Sequence, residues 1–220
     1  MQKNAIIVAG GSGTRMQSEL PKQFLLLNGK PILMHTLEAF NFDDIEIRLV
    51  LPGEQIEYWE TLCEEHTFAV PHHIVQGGET RFHSVKNGLD SIKGNAGLVA
   101  IHDGVRPLIS RDIISASFDQ ALTHGNAITS VPLKDSLREI SSNSNRSVDR
   151  SVYRLIQTPQ TFQLGLIKEA FETPYQSAFT DDASVFENNG GSIHLIDGDY
   201  RNIKITTPED LLVAESFLAR

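Results

Sequence analysis

Five short apolar runs, spaced by helical patterns, constrain the fold of this chain more than any other feature. They are Ala5 to Ala9, Ile45 to Leu51, His73 to Gln76, Leu98 to His102 and Ala127 to Leu133. Runs of this length with little polar alternation fit parallel strands buried on both faces. Between them, Pro31 to Phe40 sets Leu33, Leu37 and Phe40 on one helical face, and Arg111 to His124 sets Ile114, Phe118, Ala121 and Leu122 on another. With right-handed crossovers, the alternation predicts an α/β fold: a doubly wound, mostly parallel sheet with helices on both sides. Ligands of such sheets bind beyond the C-terminal ends of the strands, so site residues should follow strands.

The last helix is well marked. Thr207 can cap it, Pro208 suits its first turn, Asp210 completes a capping-box-like pair, and Leu211, Ala214 and Leu218 share a face. Lys134 to Tyr153 departs from the alternation, with two extended segments flanking the polar stretch Ser141 to Ser147. This reads as a protruding β-hairpin arm, and a two-stranded ribbon is not stable alone in water. A second copy of the chain is the natural support. The expected organisation is one domain over 1–220, with 134–153 as an arm for dimerisation.

Length and charge narrow the partners. A chain of 220 residues suits one domain with a sizeable core. Its 28 acidic and 19 basic residues leave a net charge of -9, which opposes nonspecific attraction to nucleic acid or anionic membranes. Any phosphate ligand must therefore meet a local basic pocket. Cys63 is the single cysteine, so neither an internal disulfide nor a cysteine-rich zinc cluster can form. No run of 18 or more apolar residues offers a membrane-spanning helix, and the apolar start Ala5 to Ala9 is too short for a signal-peptide core. The cytoplasm is the expected location, with no nucleic-acid or membrane partner.

The strongest chemical signal follows the first strand: Gly10-Gly11-Ser12-Gly13-Thr14-Arg15-Met16, then Leu20-Pro21-Lys22-Gln23. Glycines let the backbone approach an oligophosphate and turn N–H groups toward it, while Arg15 and Lys22 supply full charges. The segment lacks the third glycine of the dinucleotide fingerprint. Gly29-Lys30 is followed by Pro31 rather than Ser or Thr, so the P-loop pattern also fails.

Ala9 to Met16 with Pro21-Lys22-Gln23 resembles the signature loop of the 2-C-methyl-D-erythritol 4-phosphate cytidylyltransferases. Further blocks resemble that family in order: Gly77-Gly78-Glu79-Thr80-Arg81 through Ser84, His102-Asp103-Gly104-Val105-Arg106-Pro107, Val131 to Ser136, Val148-Asp149-Arg150, Thr158-Pro159-Gln160, Thr180 to Ser184 and Asn202-Ile203-Lys204. The resemblance covers essentially the whole chain. It implies a Rossmann-like nucleotidyltransferase fold, a homodimer with exchanged arms, CTP as co-substrate and magnesium as the divalent cation.

Residue roles follow from the same resemblance. Arg15, Lys22, Arg150 and Lys204 match the charged catalytic set, with Arg150 reaching over from a partner subunit. Ala9, Gly10, Gly11, Gly13, Thr14, Gly78, Glu79, Ser84, Asp103 and Gly104 match nucleotide-binding positions. Asp103, Arg106, Ser136, Arg150, Thr180 and Lys204 match acceptor-binding positions. Alternative readings of Asp103 with Arg106 as a loop-pinning ion pair, of Thr180 as a helix N-cap and of Arg150 as a solvated arm charge stand beside these. No metal ligands are assigned.

Some positions depart from the family pattern. Gly104 stands where Ala is common, Ser136 where Thr is frequent and Glu79 where Asp is frequent. A ribitol 5-phosphate cytidylyltransferase shares the loop and arm, and a catalytically silent nucleotide sensor or a hexose-1-phosphate nucleotidyltransferase are further alternatives. Other clusters read as structural. His72-His73 and Cys63 to His66 lack metal-ligand spacing, Asp181-Asp182 falls at a helix start, and Asp197-Gly198-Asp199 reads as a turn.

Overall fold

A computed structural model of the chain describes residues 1–10 and 20–219. β1 (Lys3–Val8) is followed by a small ribbon, β2 (Leu26–Leu27) and β3 (Lys30–Pro31), leading into α1 (Ile32–Phe40). The chain then alternates through β4 (Glu46–Leu51), α2 (Ile56–Glu65), β5 (His73–Gln76), α3 (Arg81–Asp90), β6 (Leu98–Asp103), α4 (Arg111–His124) and β7 (Asn126–Pro132). A hairpin of β8 (Leu137–Ile140) and β9 (Asn145–Val148) interrupts this rhythm. It is followed by β10 (Arg154–Gln163), α5 (Leu164–Ala170), α6 (Asp182–Asn188), β11 (Leu195–Asp197) and α7 (Pro208–Leu218).

All five predicted apolar runs are strands of one seven-stranded sheet, in the order β11-β7-β10-β6-β1-β4-β5. β10 is antiparallel to both its neighbours, whereas the other paired strands run parallel. The apolar runs show no polar alternation because both faces of the sheet are covered. In β1, Ala5 and Ile7 face a layer with Leu37 of α1, Trp59 of α2 and Phe118 of α4. Ile6 and Val8 face Val85 of α3, Ile167 of α5 and Phe186 of α6.

β10 escaped the sequence pattern for a physical reason. Its buried residues include Gln157, Thr158, Gln160 and Thr161, and Pro159 sits within it. Proline argues against a central strand because it cannot donate to the ladder. Here Pro159 falls where the register to β7 shifts between Ile156 and Gln160, so the ladder is already interrupted.

The helix ends follow the expected chemistry. Ser110 caps α4, accepting from the Ile113 N–H, and Gly125 ends it at φ 86° in the left-handed region. Thr207 and Asp210 form the predicted capping box on α7. Three expectations need correction. Leu122 is 48% exposed and so lies off the buried face of α4. On α7 only Ala214 is buried, with Leu211 half-buried and Leu218 exposed, because this helix covers the small β2–β3 ribbon rather than the sheet. Asp197 belongs to the short edge strand β11 rather than to a turn.

Candidate active site

The C-terminal ends of β1, β5 and β6 open onto a cavity of about 350 Å³, lined by Ala9, Gly10, Lys22, Gln23, the 78–81 turn, Ser84, Asp103 and Lys204. A second cavity of about 310 Å³ adjoins it, lined by Arg106, Thr158, Gln160, Thr180 and Asp181. Arg81, Asp103 and Lys204 line both cavities.

Backbone ties shape the first cavity. The Gln23 amide donates to the Ala9 carbonyl at 2.9 Å and to Gln55 Oε1 at 2.6 Å, which holds the Lys22–Phe24 turn against the end of β1. Lys22 is thereby largely buried at the cavity wall. Beyond β5, the Gly77 N–H donates to the Leu51 carbonyl at 2.7 Å, and the Gly78 N–H donates to Ser84 Oγ at 3.1 Å. Thr80 caps α3. Gly78 is obligatory at this turn: a Cβ there would lie 2.5 Å from the His83 Cβ.

Asp103 is the electrostatic centre. Its Oδ2 lies 3.0 Å from Lys204 Nζ and 3.3 Å from Arg106 Nε, and its Oδ1 lies 3.6 Å from Arg81 Nε. Burial would lift the carboxyl, but Arg81, Lys204 and Arg106 together hold it well below the usual carboxylate range. Arg81 and Arg106 are otherwise engaged. Arg81 forks onto Asp182 at 2.8 and 2.7 Å, and Arg106 donates to the Asn202 carbonyl at 2.8 Å. The Lys204 side chain is 40% exposed, so its ammonium is open to a ligand as well as to Asp103.

His102 supports this arrangement from behind. Thr158 Oγ1 accepts the Asp103 N–H at 3.1 Å and lies 3.0 Å from His102 Nδ1. With Thr158 donating to Nδ1, the network assigns the imidazole proton to Nε2, which donates to the Arg106 carbonyl at 3.2 Å. Burial pushes the His102 imidazole down to about 4. One neutral ring thus ties both ends of the 103–106 turn.

A family model described as 2-C-methyl-D-erythritol 4-phosphate cytidylyltransferase matches residues 4–220. The chain belongs to this family. It is 50% identical to the 2-C-methyl-D-erythritol 4-phosphate cytidylyltransferase of Bacteroides fragilis, over 99% of this chain and 100% of the relative. Among solved structures, the 4-diphosphocytidyl-2C-methyl-D-erythritol synthase of Anaerococcus prevotii superposes with a TM-score of 0.85 at 30% identity, covering 100% of this chain and 96% of that one. The 2-C-methyl-D-erythritol 4-phosphate cytidylyltransferase of Thermus thermophilus superposes with a TM-score of 0.78 at 30% identity, covering both chains fully.

Most positions that match this cytidylyltransferase family converge on the two cavities. Ala9, Gly10, Lys22, Gly78, Glu79, Ser84, Asp103 and Lys204 line the first, while Arg106 and Thr180 join Asp103 and Lys204 at the second. Gly104 lies beneath them, where a Cβ would come within 3.0 Å of Ala9 Cβ and Leu33 Cδ1. Gly11, Gly13, Thr14 and Arg15 lie outside the described residues. Ser136 and Arg150 are exposed on the arm and line neither cavity; within its own chain the Arg150 guanidinium donates to the Lys134 carbonyl. The Asp103–Arg106 ion pair does pin its turn, and the cap of α6 is Asp181 rather than Thr180.

Arg81, Thr158, Gln160 and Asp182 were missed as site residues. All four stood inside motif blocks, but their long-range partners leave no mark in local sequence. Gln160 bonds Asp181 Oδ2 and the Ala183 N–H, joining β10 to the start of α6. The side chains of His72 and Cys63 are taken up by their surroundings. Trp59 Nε1 donates to His72 Nε2 at 3.0 Å, and burial pushes the Cys63 thiol up to about 11. Among the described residues no three His, Cys, Asp or Glu side chains lie together as a metal site.

Proposed function

We propose that this chain transfers a cytidylyl group from CTP to 2-C-methyl-D-erythritol 4-phosphate. The products are 4-diphosphocytidyl-2-C-methyl-D-erythritol and pyrophosphate, in isoprenoid precursor synthesis. The observation that carries the reading is the junction of two cavities at Asp103 and Lys204, within a chain of this family. The first cavity takes the nucleotide and the second the acceptor. An acceptor phosphate oxygen attacks the α-phosphorus, forming a new P–O bond. The bond from that phosphorus to the bridging oxygen breaks, and pyrophosphate leaves with its electron pair.

Positioning and charge do the catalytic work. A phosphate monoester is already anionic near neutral pH, so no general base is needed to create the nucleophile. Lys22, with Arg15, offsets charge as the phosphorus becomes five-coordinate. Lys204 leaves Asp103 to grip the acceptor phosphate, with Arg106 and Thr180 lining its cavity. Arg150 and Ser136 reach this cavity from the arm of a second copy. Support for that exchange comes from the isolated β8–β9 hairpin and the exposed apolar side chains Ile140 (73%) and Val152 (74%). The working unit is a homodimer.

Magnesium is the implied divalent cation, and the donors present suit an ion carried in on the triphosphate. Among the described residues the carboxylates lining the nucleotide cavity are Asp103 and Glu79, and magnesium often takes only one or two protein oxygens beside phosphates and water. Asp103 would hold it, and the bound ion would neutralise triphosphate charge. The enzyme works in the cytoplasm, a reading supported by its single cysteine and by the lack of any helix long and apolar enough to cross a membrane among the described residues.

The test is pyrophosphate release from CTP or UTP with 2-C-methyl-D-erythritol 4-phosphate or ribitol 5-phosphate at fixed magnesium. CTP with the methylerythritol acceptor should dominate. Faster turnover of ribitol 5-phosphate, or none with either alcohol, overturns the assignment.

A further inference from the structure

Lys204 reaches the site on the segment 198–205, which is anchored at several points to the sheet end. The Gly198 N–H donates to the Ser130 carbonyl at 2.8 Å, and the Ile205 N–H donates to the Val105 carbonyl at 2.9 Å. Between them Asn202 is buried, its amide donating to the Thr158 carbonyl at 2.8 Å and its carbonyl accepting from Arg106. Tyr200 points the other way. Its hydroxyl donates to the Pro132 carbonyl at 2.8 Å, and the Lys134 ammonium sits 3.4 Å from its ring centre. Pro132 ends β7 and Lys134 opens the arm, where its carbonyl accepts from Arg150.

These contacts run from Arg150 through Lys134 to Tyr200, and the backbone of residues 200–204, anchored at Asn202, continues to Lys204. Tyr200 is 39% exposed, so core burial alone does not hold it there. A hydroxyl–carbonyl hydrogen bond and a cation–π contact fix its place instead. We propose that Tyr200 is a positioning residue that couples the foot of the arm to Lys204, so that the acceptor-phosphate site takes its working shape only when the arm is held in place. The proposal rests on the reading of Lys204 as the group that grips the acceptor phosphate. It adds a route by which arm exchange between two copies sets acceptor affinity within each copy's own cavity.

The experiment compares the full-length protein with Tyr200→Phe, Tyr200→Ala and Lys134→Gln, measuring KM for each substrate, melting temperature and amide exchange along 134–150 and 198–205. Loss of the hydroxyl alone should raise KM for the acceptor about fivefold, and loss of the ring as well about 30-fold. KM for CTP and the melting temperature should stay near wild type. Lys134→Gln should fall between the two tyrosine variants. An unchanged acceptor KM in Tyr200→Ala overturns the proposal, as does a parallel rise in both KM values with a lower melting temperature, which would mark general loosening. A wild-type protein that turns over no acceptor condemns the substrate reading instead. Amide exchange then still decides the coupling: Tyr200→Ala should raise exchange in both segments, and a rise confined to one overturns it.

Discussion

Arg81 at the start of α3 and Asp182 at the start of α6, 101 residues apart in sequence, meet in a two-pronged ion pair at 2.8 and 2.7 Å. The same guanidinium reaches toward Asp103, at 3.6 Å. Burial pushes the Asp182 carboxyl up, and the fork of Arg81 opposes it; Asp182 and Asp103 in turn hold Arg81 firmly protonated against its own burial. An ion pair in this setting adds little net stability over an apolar contact. Its role is placement, because it fixes one wall of both cavities and one side of the charge cluster around Asp103.

Removing one partner should therefore cost far more than removing both. Arg81→Ala is expected to lower unfolding free energy by about 3 kcal/mol, since it strands the buried Asp182 carboxylate. Arg81→Met with Asp182→Leu should recover most of that loss while kcat/KM stays depressed. Urea titrations and steady-state kinetics on the same preparations check both halves. Full recovery of activity in the double variant would show that the pair is structural only.

His102 sets a pH dependence of stability. Its imidazole sits near 4 in the folded protein against an ordinary 6.5, because burial disfavours the charged ring. Between these values the unfolded chain takes up a proton that the folded one does not. Its contribution is therefore complete above about pH 6.5 and is lost as pH falls toward 4, on the order of 3 kcal/mol in all. Unfolding curves across this range should show the decline, and His102→Asn should have a shallower slope. Identical slopes in the two proteins would refute the assignment.

Gly78→Ala should damage nucleotide binding more than the fold. The new methyl group would meet the His83 Cβ at 2.5 Å, so the 77–79 turn must move and its N–H must release Ser84 Oγ. Clashes of this kind cost about 1–3 kcal/mol, or roughly five- to 150-fold in CTP affinity if expressed at the cavity. Calorimetric titration with CTP reads the effect. Wild-type affinity would remove the turn from the nucleotide site.

Arm exchange predicts complementation between two inactive variants. Arg150→Ala and Lys204→Ala should each be nearly inactive alone. When the two are remixed as dimers, half the dimers are mixed and each mixed dimer rebuilds one intact site, so about a quarter of wild-type activity should return. If Arg150 served its own chain, no activity would return.

Much of the fold was legible because its signals are local. Apolar runs of strand length and the Thr207–Asp210 capping box each carry their meaning within a few residues. β10 was not legible, because its buried glutamines and threonines and Pro159 imitate a polar loop until β6 and β7 satisfy them from either side. The candidate site divided the same way. Gly78 follows β5 and Asp103 ends β6, as parallel-sheet geometry requires, whereas Asp182 acquires its partner only when α3 and α6 are folded onto the same face.

The sequence by itself determined the class of chain: a sheet covered on both faces and a hairpin that pairs only with itself. Hydrophobic periodicity and backbone stereochemistry act over short distances and can be read in order along the chain. Only the tertiary structure decided that Asp103 would face Arg81, Arg106 and Lys204, and that Tyr200 would meet Pro132 and Lys134 at the foot of the arm. Those relationships depend on Coulombic and hydrogen-bond contacts between distant segments, whose partners are chosen by the packing of the whole sheet.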